Sequence, residues 1–131
     1  MSTIFTKIIN GEIPCYKIAE DENHFAFLDI NPLAKAHTLV IPKKPIDYIF
    51  DIEDDEFKKL FLFAKKIAKA IKKNFDCEKV GLTVVGLEVP HAHIHLIPIN
   101  TIYDMDFKKE KLKLSKEEFE AIAASIRKDI E

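Results

Sequence analysis

The chain has 131 residues, about the size of one compact domain, and 20 lysines and arginines nearly balance 22 aspartates and glutamates, for a net charge of −2. That balance excludes a broad basic surface that binds nucleic acid by phosphate neutralisation alone, and it excludes a polyacidic tail. Cys15 and Cys77 are too few for a disulfide framework. The chain starts without a secretory signal and has no apolar run of the ~20 residues a membrane span needs. We therefore expect a cytoplasmic protein that binds neither nucleic acid nor membrane.

The first half of the chain predicts one short helix and three strands. Apolar residues recur at helical spacing over residues 3–10, and Gly11 is placed to end that helix. His24 matches no motif and is expected to be exposed. The strands are predicted over residues 16–20, 24–28 and 37–41.

The strongest helix signal runs from residue 54 to residue 74. Its apolar residues follow the 3–4 spacing of one buried stripe. Acidic residues crowd its start and lysines its end, which suits the helix dipole. Leu62 and Phe63 widen the apolar face, which fits either a deep core or a subunit contact.

The second half predicts two more strands, over residues 81–85 and 91–97, and a last helix that begins at the capping box of Ser115 and Glu118. Strands that follow one another closely, with one long helix inserted, predict an α+β fold with an antiparallel five-stranded sheet, one long central helix and a C-terminal helix. We expect one domain over 1–131, with its core in 4–98 and an extension with the final helix in 100–131.

Three histidines, His91, His93 and His95, alternate with apolar residues in a predicted strand. Period two places the three imidazoles on one face of the sheet, where they line an open surface, and the apolar residues on the core. Two chemistries fit such a row. The histidines can ligate zinc, iron or copper, or a neutral imidazole can attack phosphorus while its neighbours hold the phosphoryl oxygens. Periodicity does not choose between them.

The sequence around these histidines, residues 89–98, resembles the histidine triad (HIT) family signature, His-x-His-x-His with hydrophobic x residues. Three further blocks resemble the family in the same order, at 4–14, 25–32 and 36–43, so the resemblance reaches from Ile4 to Pro98. It is closest to the nucleoside phosphoramidate hydrolase branch. The resemblance implies a HIT-like, nucleotide-binding α+β fold and a homodimer whose sheets join side by side.

The resemblance also implies roles for four histidines. His93 would attack the α-phosphate of a nucleoside phosphoramidate or related conjugate and form a transient nucleotidyl-histidine that water cleaves. His91 and His95 would orient it and hold the phosphate, with His95 the better candidate to protonate the leaving group. His37 would reach the same pocket from a neighbouring strand. No metal or cofactor is implied.

The remaining residues of the implied pocket would bind the nucleoside, and a purine is the family's preference. An apolar slot for the base would be formed by Ile4, Phe5, Ile8 and Phe27. Asp29 would accept hydrogen bonds from the ribose hydroxyls, because a carboxylate is an acceptor and a vicinal diol offers two donors. The apolar residues also fit ordinary core packing, and Asp29 also fits a turn.

The chain departs from the family pattern before the triad. The family usually has a longer polar loop there, with an Asn and a Gly-Gln-Ser or Gly-Gln-Thr, whereas this chain has only residues 86–90. Glu88 stands where a hydroxyl usually helps to hold the phosphate, and a carboxylate repels a phosphate. We therefore expect altered substrate choice or slow turnover, unless Glu88 points away or meets a cationic part of the substrate.

Two further regions differ from relatives. Some bacterial members carry Cys-x-x-Cys near the start, where this chain has Thr3-Ile4-Phe5-Thr6, so no structural zinc is expected. The segment after Asn100 has no assignable match, and Met105 or Phe107 is expected to contribute across the dimer.

Three other functions remain open at the level of the sequence. A dinucleoside polyphosphate hydrolase would use the same nucleophile with a different leaving group. A nucleotide-binding regulatory protein would turn over little and form no covalent intermediate. A metalloprotein built on the triad would contain bound metal after purification.

Overall fold

The computed structural model describes residues 2–130, which form three α-helices and one five-stranded sheet. The α+β class and the antiparallel sheet predicted from the sequence are confirmed. The elements are α1 (Ile4–Ile9), β1 (Lys17–Glu20), β2 (His24–Leu28), β3 (Thr38–Pro42), α2 (Asp54–Asn74), β4 (Lys79–Thr83), β5 (Ile94–Ile99) and α3 (Lys116–Arg127).

The strands lie in the order β1-β2-β3-β5-β4, and every neighbouring pair is antiparallel. The last strand, β5, inserts between β3 and β4, with Leu39 opposite His95 and Val40 opposite Ile94. This register places β5, which carries His95, inside the sheet and beside β3, which directly follows His37. β4 is left as an edge strand.

Alternation along the strands divides the protein into two layers. In β2, Ala26 and Leu28 face the main core under α2 and α3, whereas Phe25 and Phe27 belong to a smaller cluster with Phe5 of α1. The long helices therefore cover one face of the sheet. The opposite face is covered only by the short α1 and by loops, and a cavity remains there.

The long helix α2 has the bounds and the charge pattern that the sequence predicts. Glu53 caps it by accepting from the backbone N–H of Asp55, acidic residues fill its first turn, and Lys72 and Lys73 lie in its last turn. Of the two residues that widen its apolar face, Phe63 is buried and Leu62 is exposed. None of the helices within residues 2–130 is both long and apolar enough to cross a membrane.

The strand bounds in the second half differ from the sequence prediction. β4 begins at Lys79 instead of residue 81, and β5 begins at Ile94 instead of residue 91. The prediction of a strand from His91 is wrong because the backbone there bonds outside the sheet. The N–H of Ala92 donates to the carbonyl of Ile46 over 2.7 Å.

The exposure expected for His24 is also wrong. Its side chain is buried, its Nδ1 lies 2.9 Å from a carboxylate oxygen of Asp21, and its ring stacks on Phe63 at a centroid distance of 5.1 Å. His24 points toward α2 because it shares the strand face of Ala26 and Leu28. It is part of the packing between the sheet and the long helix.

Candidate active site

A cavity of about 260 Å³ lies on the sheet face opposite α2 and α3. It brings together eight of the ten residues that the sequence assigned to the site. They are Ile4, Phe5, Ile8, Phe27, Asp29, Glu88, His93 and His95. Sequence blocks up to 91 positions apart therefore meet in one place.

The two remaining histidines, His91 and His37, lie behind the cavity wall. All three triad histidines are buried, with exposures of 0% for His91, 6% for His93 and 7% for His95, so the expected open row of imidazoles is wrong. Period two holds only from Ile94 onward. His91 precedes β5, and its ring turns into the protein beside α1.

His91 and His93 form a pair whose hydrogen bonds fix both tautomers. The Nε2–H of His91 donates to the carbonyl of Pro42 over 2.7 Å, so its Nδ1 accepts from the hydroxyl of Thr3 over 2.8 Å. The Nδ1–H of His93 donates to the carbonyl of His91 over 2.8 Å. The Nε2 of His93 therefore carries a free lone pair, and no protein group within residues 2–130 hydrogen-bonds it.

His37 and His95 form a second pair with the opposite outcome. The backbone N–H of Leu33 donates to Nδ1 of His37 over 3.0 Å, which places the His37 proton on Nε2. That Nε2–H donates to Nδ1 of His95 over 3.0 Å. His95 therefore carries its own proton on Nε2, so it presents an N–H donor where His93 presents a lone pair.

Burial keeps the second pair neutral. Desolvation lowers the pKa of His37 to about 3, with the nearby His95 and Lys111 acting in the same direction. Desolvation also lowers the pKa of His95 to about 4, and His93 adds to that effect. The pKa of His91 is lowered by burial as well. At neutral pH these three imidazoles are thus uncharged and have defined proton positions.

Phe5 joins the apolar slot to the first histidine pair. Its ring meets Phe27 edge-on at 5.6 Å and the ring of His93 at 5.1 Å. Ile4 and Ile8 complete the slot from α1. The thiol of Cys15, which the sequence did not single out, also lines the cavity, and burial raises its pKa, so it is an uncharged wall group.

Asp29 closes the end of the slot. One carboxylate oxygen accepts the backbone N–H of Asn31 over 2.9 Å, so the turn expected at this position exists. The other oxygen lies 3.6 Å from Nε2 of His37. Burial raises the pKa of Asp29, while its turn hydrogen bond, His93 and Lys111 oppose the rise. Asp29 combines a turn role with an oxygen available to the cavity.

The short loop after β4 brings Glu88 beside His93 and His95. Gly86 has φ = +71°, and an added Cβ would meet nothing within 4 Å, so glycine serves the backbone conformation there. Beyond that turn, Glu88 lines the cavity of about 260 Å³ together with His93 and His95. It also lines a second cavity of about 210 Å³ with the same two histidines.

The C-terminal segment covers the second histidine pair within the same chain. The ring of Phe107 meets His95 at 4.8 Å and His37 at 6.3 Å. Lys111 lies close enough to lower the pKa of Asp29, because its positive charge favours the carboxylate. Met105 instead packs over Gly81, where an added Cβ would lie 2.5 Å from its sulfur. No sequence pattern points to Lys111, because it follows the last family-like block by more than ten residues.

One group of side chains in residues 2–130 has the donor set of a metal site. Ligand atoms of Asp29, His37 and His95 lie within 4.8 Å of one another. In this structure His37 Nε2 and His95 Nδ1 are hydrogen-bonded to each other. A metal ion at these atoms would have to displace that proton and hydrogen bond.

Comparison with known proteins gives the same fold and a family. A crystal structure of a HIT-like protein from Bartonella henselae superposes with a TM-score of 0.84 at 32% identity, covering 98% of this chain and 96% of that one. A zinc-bound histidine triad family protein from Mycobacterium smegmatis has a TM-score of 0.80 at 25% identity, covering 99% of this chain and 94% of that one. The fold and the paired histidines thus define a HIT-fold protein.

The sequence comparisons are more specific. The HIT domain model matches residues 10–102. The adenosine 5'-monophosphoramidase hnt1 of Schizosaccharomyces pombe is 36% identical over 132 residues, covering 99% of each chain. The chain belongs to the histidine triad family.

Proposed function

We propose that this protein hydrolyses nucleoside phosphoramidates or related nucleotide conjugates at the α-phosphate, through a nucleotidyl-histidine on His93. The observation that carries the proposal is the hydrogen bond from His93 Nδ1–H to the carbonyl of His91. It fixes the proton away from the cavity and leaves Nε2 as a nucleophile. The phosphoramidase activity named for the yeast relative supports the same substrate class.

In the first step the lone pair of His93 Nε2 forms a bond to phosphorus, and the bond from phosphorus to the leaving nitrogen breaks. The leaving nitrogen takes one proton, which we assign to His95 Nε2–H, and a proton from solvent water replaces it there, so the His95 ring is neutral before and after the step. The attack makes the His93 ring cationic at 5.0 Å from the His95 ring. Before the transfer the same N–H stabilises the phosphoryl oxygens.

In the second step water attacks phosphorus and the bond to His93 Nε2 breaks. The attacking water passes one proton to solvent through His95, the reverse of the first transfer, so the cycle converts conjugate and water into nucleotide and amine. His37 acts through His95 by holding its Nδ1 as an acceptor. His91 acts through its carbonyl, which positions His93.

The nucleoside binds in the slot formed by α1 and β2. Phe5 and Phe27 supply flat apolar contacts for a base, for which we propose a purine. The Asp29 oxygen that is free of the turn accepts from the ribose hydroxyls. This assignment places the α-phosphate between the slot and the second cavity, beside His93.

We also propose that the protein is a homodimer that pairs through the β4 edge. Exposed apolar side chains cluster on and after that strand, and unpaired edge strands readily join a second sheet. They are Leu82, Ile102 and Tyr103. Sedimentation equilibrium tests the proposal, since a monomer at micromolar concentration contradicts it.

The test of the activity is turnover of adenosine phosphoramidate and of diadenosine polyphosphates by wild type and by His93→Ala. We expect phosphoramidate turnover that falls at least about 10⁴-fold in the variant, because the nucleophile is lost. Intact-mass analysis should detect an adenylylated wild type and no adduct on the variant. His24→Gln is the control, because His24 lies outside the cavity. Absence of both turnover and adduct, with AMP still bound, would favour a nucleotide-binding regulatory protein.

A further inference from the structure

The reaction centre has cavities on both sides. The cavity toward α1 holds the slot assigned to the nucleoside, and the second cavity lies between the loop after β4 and Phe107. The two cavities share three residues, Glu88, His93 and His95. If the nucleoside fills the first cavity, the group that leaves phosphorus must depart through the second.

The wall of the second cavity is apolar apart from the shared residues. Val85, Leu87 and Phe107 line it, and Leu87 is 89% exposed, so its side chain is free to cover a bound group. An aliphatic stem fits this lining. A leaving group without any apolar part would leave these side chains in water.

Glu88 adds an uncompensated charge at the boundary between the cavities. It is exposed, and none of the ion pairs formed within residues 2–130 includes it. Asp29 lies near enough for its pKa to be raised by Glu88, so two carboxylates border the phosphate position. Lys111 lowers the pKa of Asp29 and of His37.

We propose that the second cavity is a leaving-group site that selects amines carrying a positive charge on a short apolar stem, and that Glu88 determines this selectivity. The proposal rests on the proposed function and adds the class of leaving group to it. A cation near Glu88 gains a favourable interaction, whereas a leaving group rich in phosphates meets a second negative charge. Amine conjugates would therefore be preferred over dinucleoside polyphosphates.

Three conjugates of equal length test the proposal. AMP is joined through a P–N bond to 1,4-diaminobutane, to n-butylamine, or to 4-aminobutanoate, which carry a charge of +1, 0 or −1 at the far end. We expect kcat/KM to fall in that order, by about tenfold for each unit of charge, since a charge interaction of about 1.4 kcal/mol is a factor of ten. The spread should shrink as salt is raised, because exposed charges are screened.

Two variants test whether the charge of Glu88 causes the order of kcat/KM values. Glu88→Gln removes the charge with little change of shape, and the three values of kcat/KM should converge to within about threefold. Glu22→Gln removes the same charge from the turn at the opposite end of β2, and the wild-type order should persist. Thermal melting and circular dichroism verify that both variants are folded, which the exposure of Glu88 and Glu22 favours.

The outcomes separate the two proposals. Convergence in Glu88→Gln alone supports the leaving-group site. Equal rates on all three conjugates in wild type, or an order that survives in Glu88→Gln, overturn the selectivity and leave the hydrolase standing. No turnover of any conjugate by wild type overturns the proposed function, and the selectivity falls with it.

Discussion

The two histidine pairs have the same construction and opposite chemistry. In each pair a buried outer histidine holds an inner one that lines the cavity, and a phenylalanine meets the inner ring edge-on: Phe5 at His93 and Phe107 at His95. The difference lies at Nδ1 of the inner ring. His93 donates from Nδ1 to a carbonyl, whereas His95 accepts at Nδ1 from another imidazole.

That single reversal decides what each inner histidine offers to a substrate. A ring that donates from Nδ1 keeps a lone pair on Nε2, and a ring that accepts at Nδ1 keeps a proton there. The site thus obtains a free ring lone pair and a ring N–H donor from one residue type. The chain that fixes His95 starts at the backbone N–H of Leu33, which has only one possible role.

The largest effect that would break this comparison is expected for His95→Asn. We expect kcat on the n-butylamine conjugate to fall by about 10³-fold, the usual range for loss of a general acid. An AMP ester of p-nitrophenol needs no proton to leave, so its first step should be nearly retained, with a burst of p-nitrophenol and accumulation of the nucleotidyl-histidine. His93→Ala should lose both reactions. Equal losses on the two substrates in His95→Asn would contradict the assignment of the proton to His95.

A smaller effect is expected on stability as the pH falls. His37 and His95 have folded pKa values of about 3 and about 4, below the unfolded value near 6.5, so the unfolded chain takes up protons first. Their stabilising contribution is complete above about pH 6.5 and is lost between there and about pH 4 for His95 or about pH 3 for His37. We expect the free energy of unfolding to drop by about 2–4 kcal/mol between pH 7.5 and 5.

Urea unfolding at several pH values and one fixed protein concentration measures this drop. His37→Asn removes one of the two proton-linked groups, so its loss between pH 7.5 and 5 should be clearly smaller than that of wild type. The absolute stability of the variant at pH 7.5 does not enter the comparison. An unchanged pH dependence in His37→Asn would show that the second pair is not what titrates.

The sequence predicted the elements best where local signals agree. β2 and α2 have the predicted bounds, because a polar turn precedes β2 and because charges and apolar spacing mark both ends of α2. β5 was misplaced because alternation of His91 to Leu96 is indistinguishable in sequence from a strand. Only the bond from Ala92 to the carbonyl of Ile46 reveals that the chain enters the sheet later.

The candidate site was likewise predictable from the sequence only in part. The family blocks located seven of the predicted residues that line the cavity, and the departure before the triad located Glu88, but neither shows which histidines are behind the cavity wall. Thr3 and His91 are 88 positions apart, and no spacing rule connects a hydroxyl near the start of the chain with a histidine tautomer. Phe107 was expected to act across a dimer, and its contact with His95 within one chain depends on the path of a segment without any motif.

The smallest effect is expected for Thr3→Val, which tests the hydrogen bond from Thr3 to His91 in the first histidine pair. Thr3 has two roles, since its hydroxyl caps α1 by accepting from the N–H of Thr6 and donates to Nδ1 of His91. Valine keeps the shape and removes both bonds, which leaves a fully buried ring nitrogen without a partner. We expect the free energy of unfolding to fall by about 2 kcal/mol, the usual range for an orphaned buried acceptor and a lost cap.

Because Thr3 acts on His93 only through His91, we also expect kcat to fall severalfold while KM is nearly unchanged. Thr3→Ser keeps the hydroxyl, so it is the matched control and should retain most of both quantities. The assay is run at a temperature where both variants are fully folded, so that lost stability does not register as lost activity. If Ser loses stability and activity and Val does not, the methyl group and not the hydroxyl matters, and the donor to His91 Nδ1 must be reassigned. If Val loses stability alone, the ring of His91 is held for folding, and its carbonyl orients His93 without help from α1.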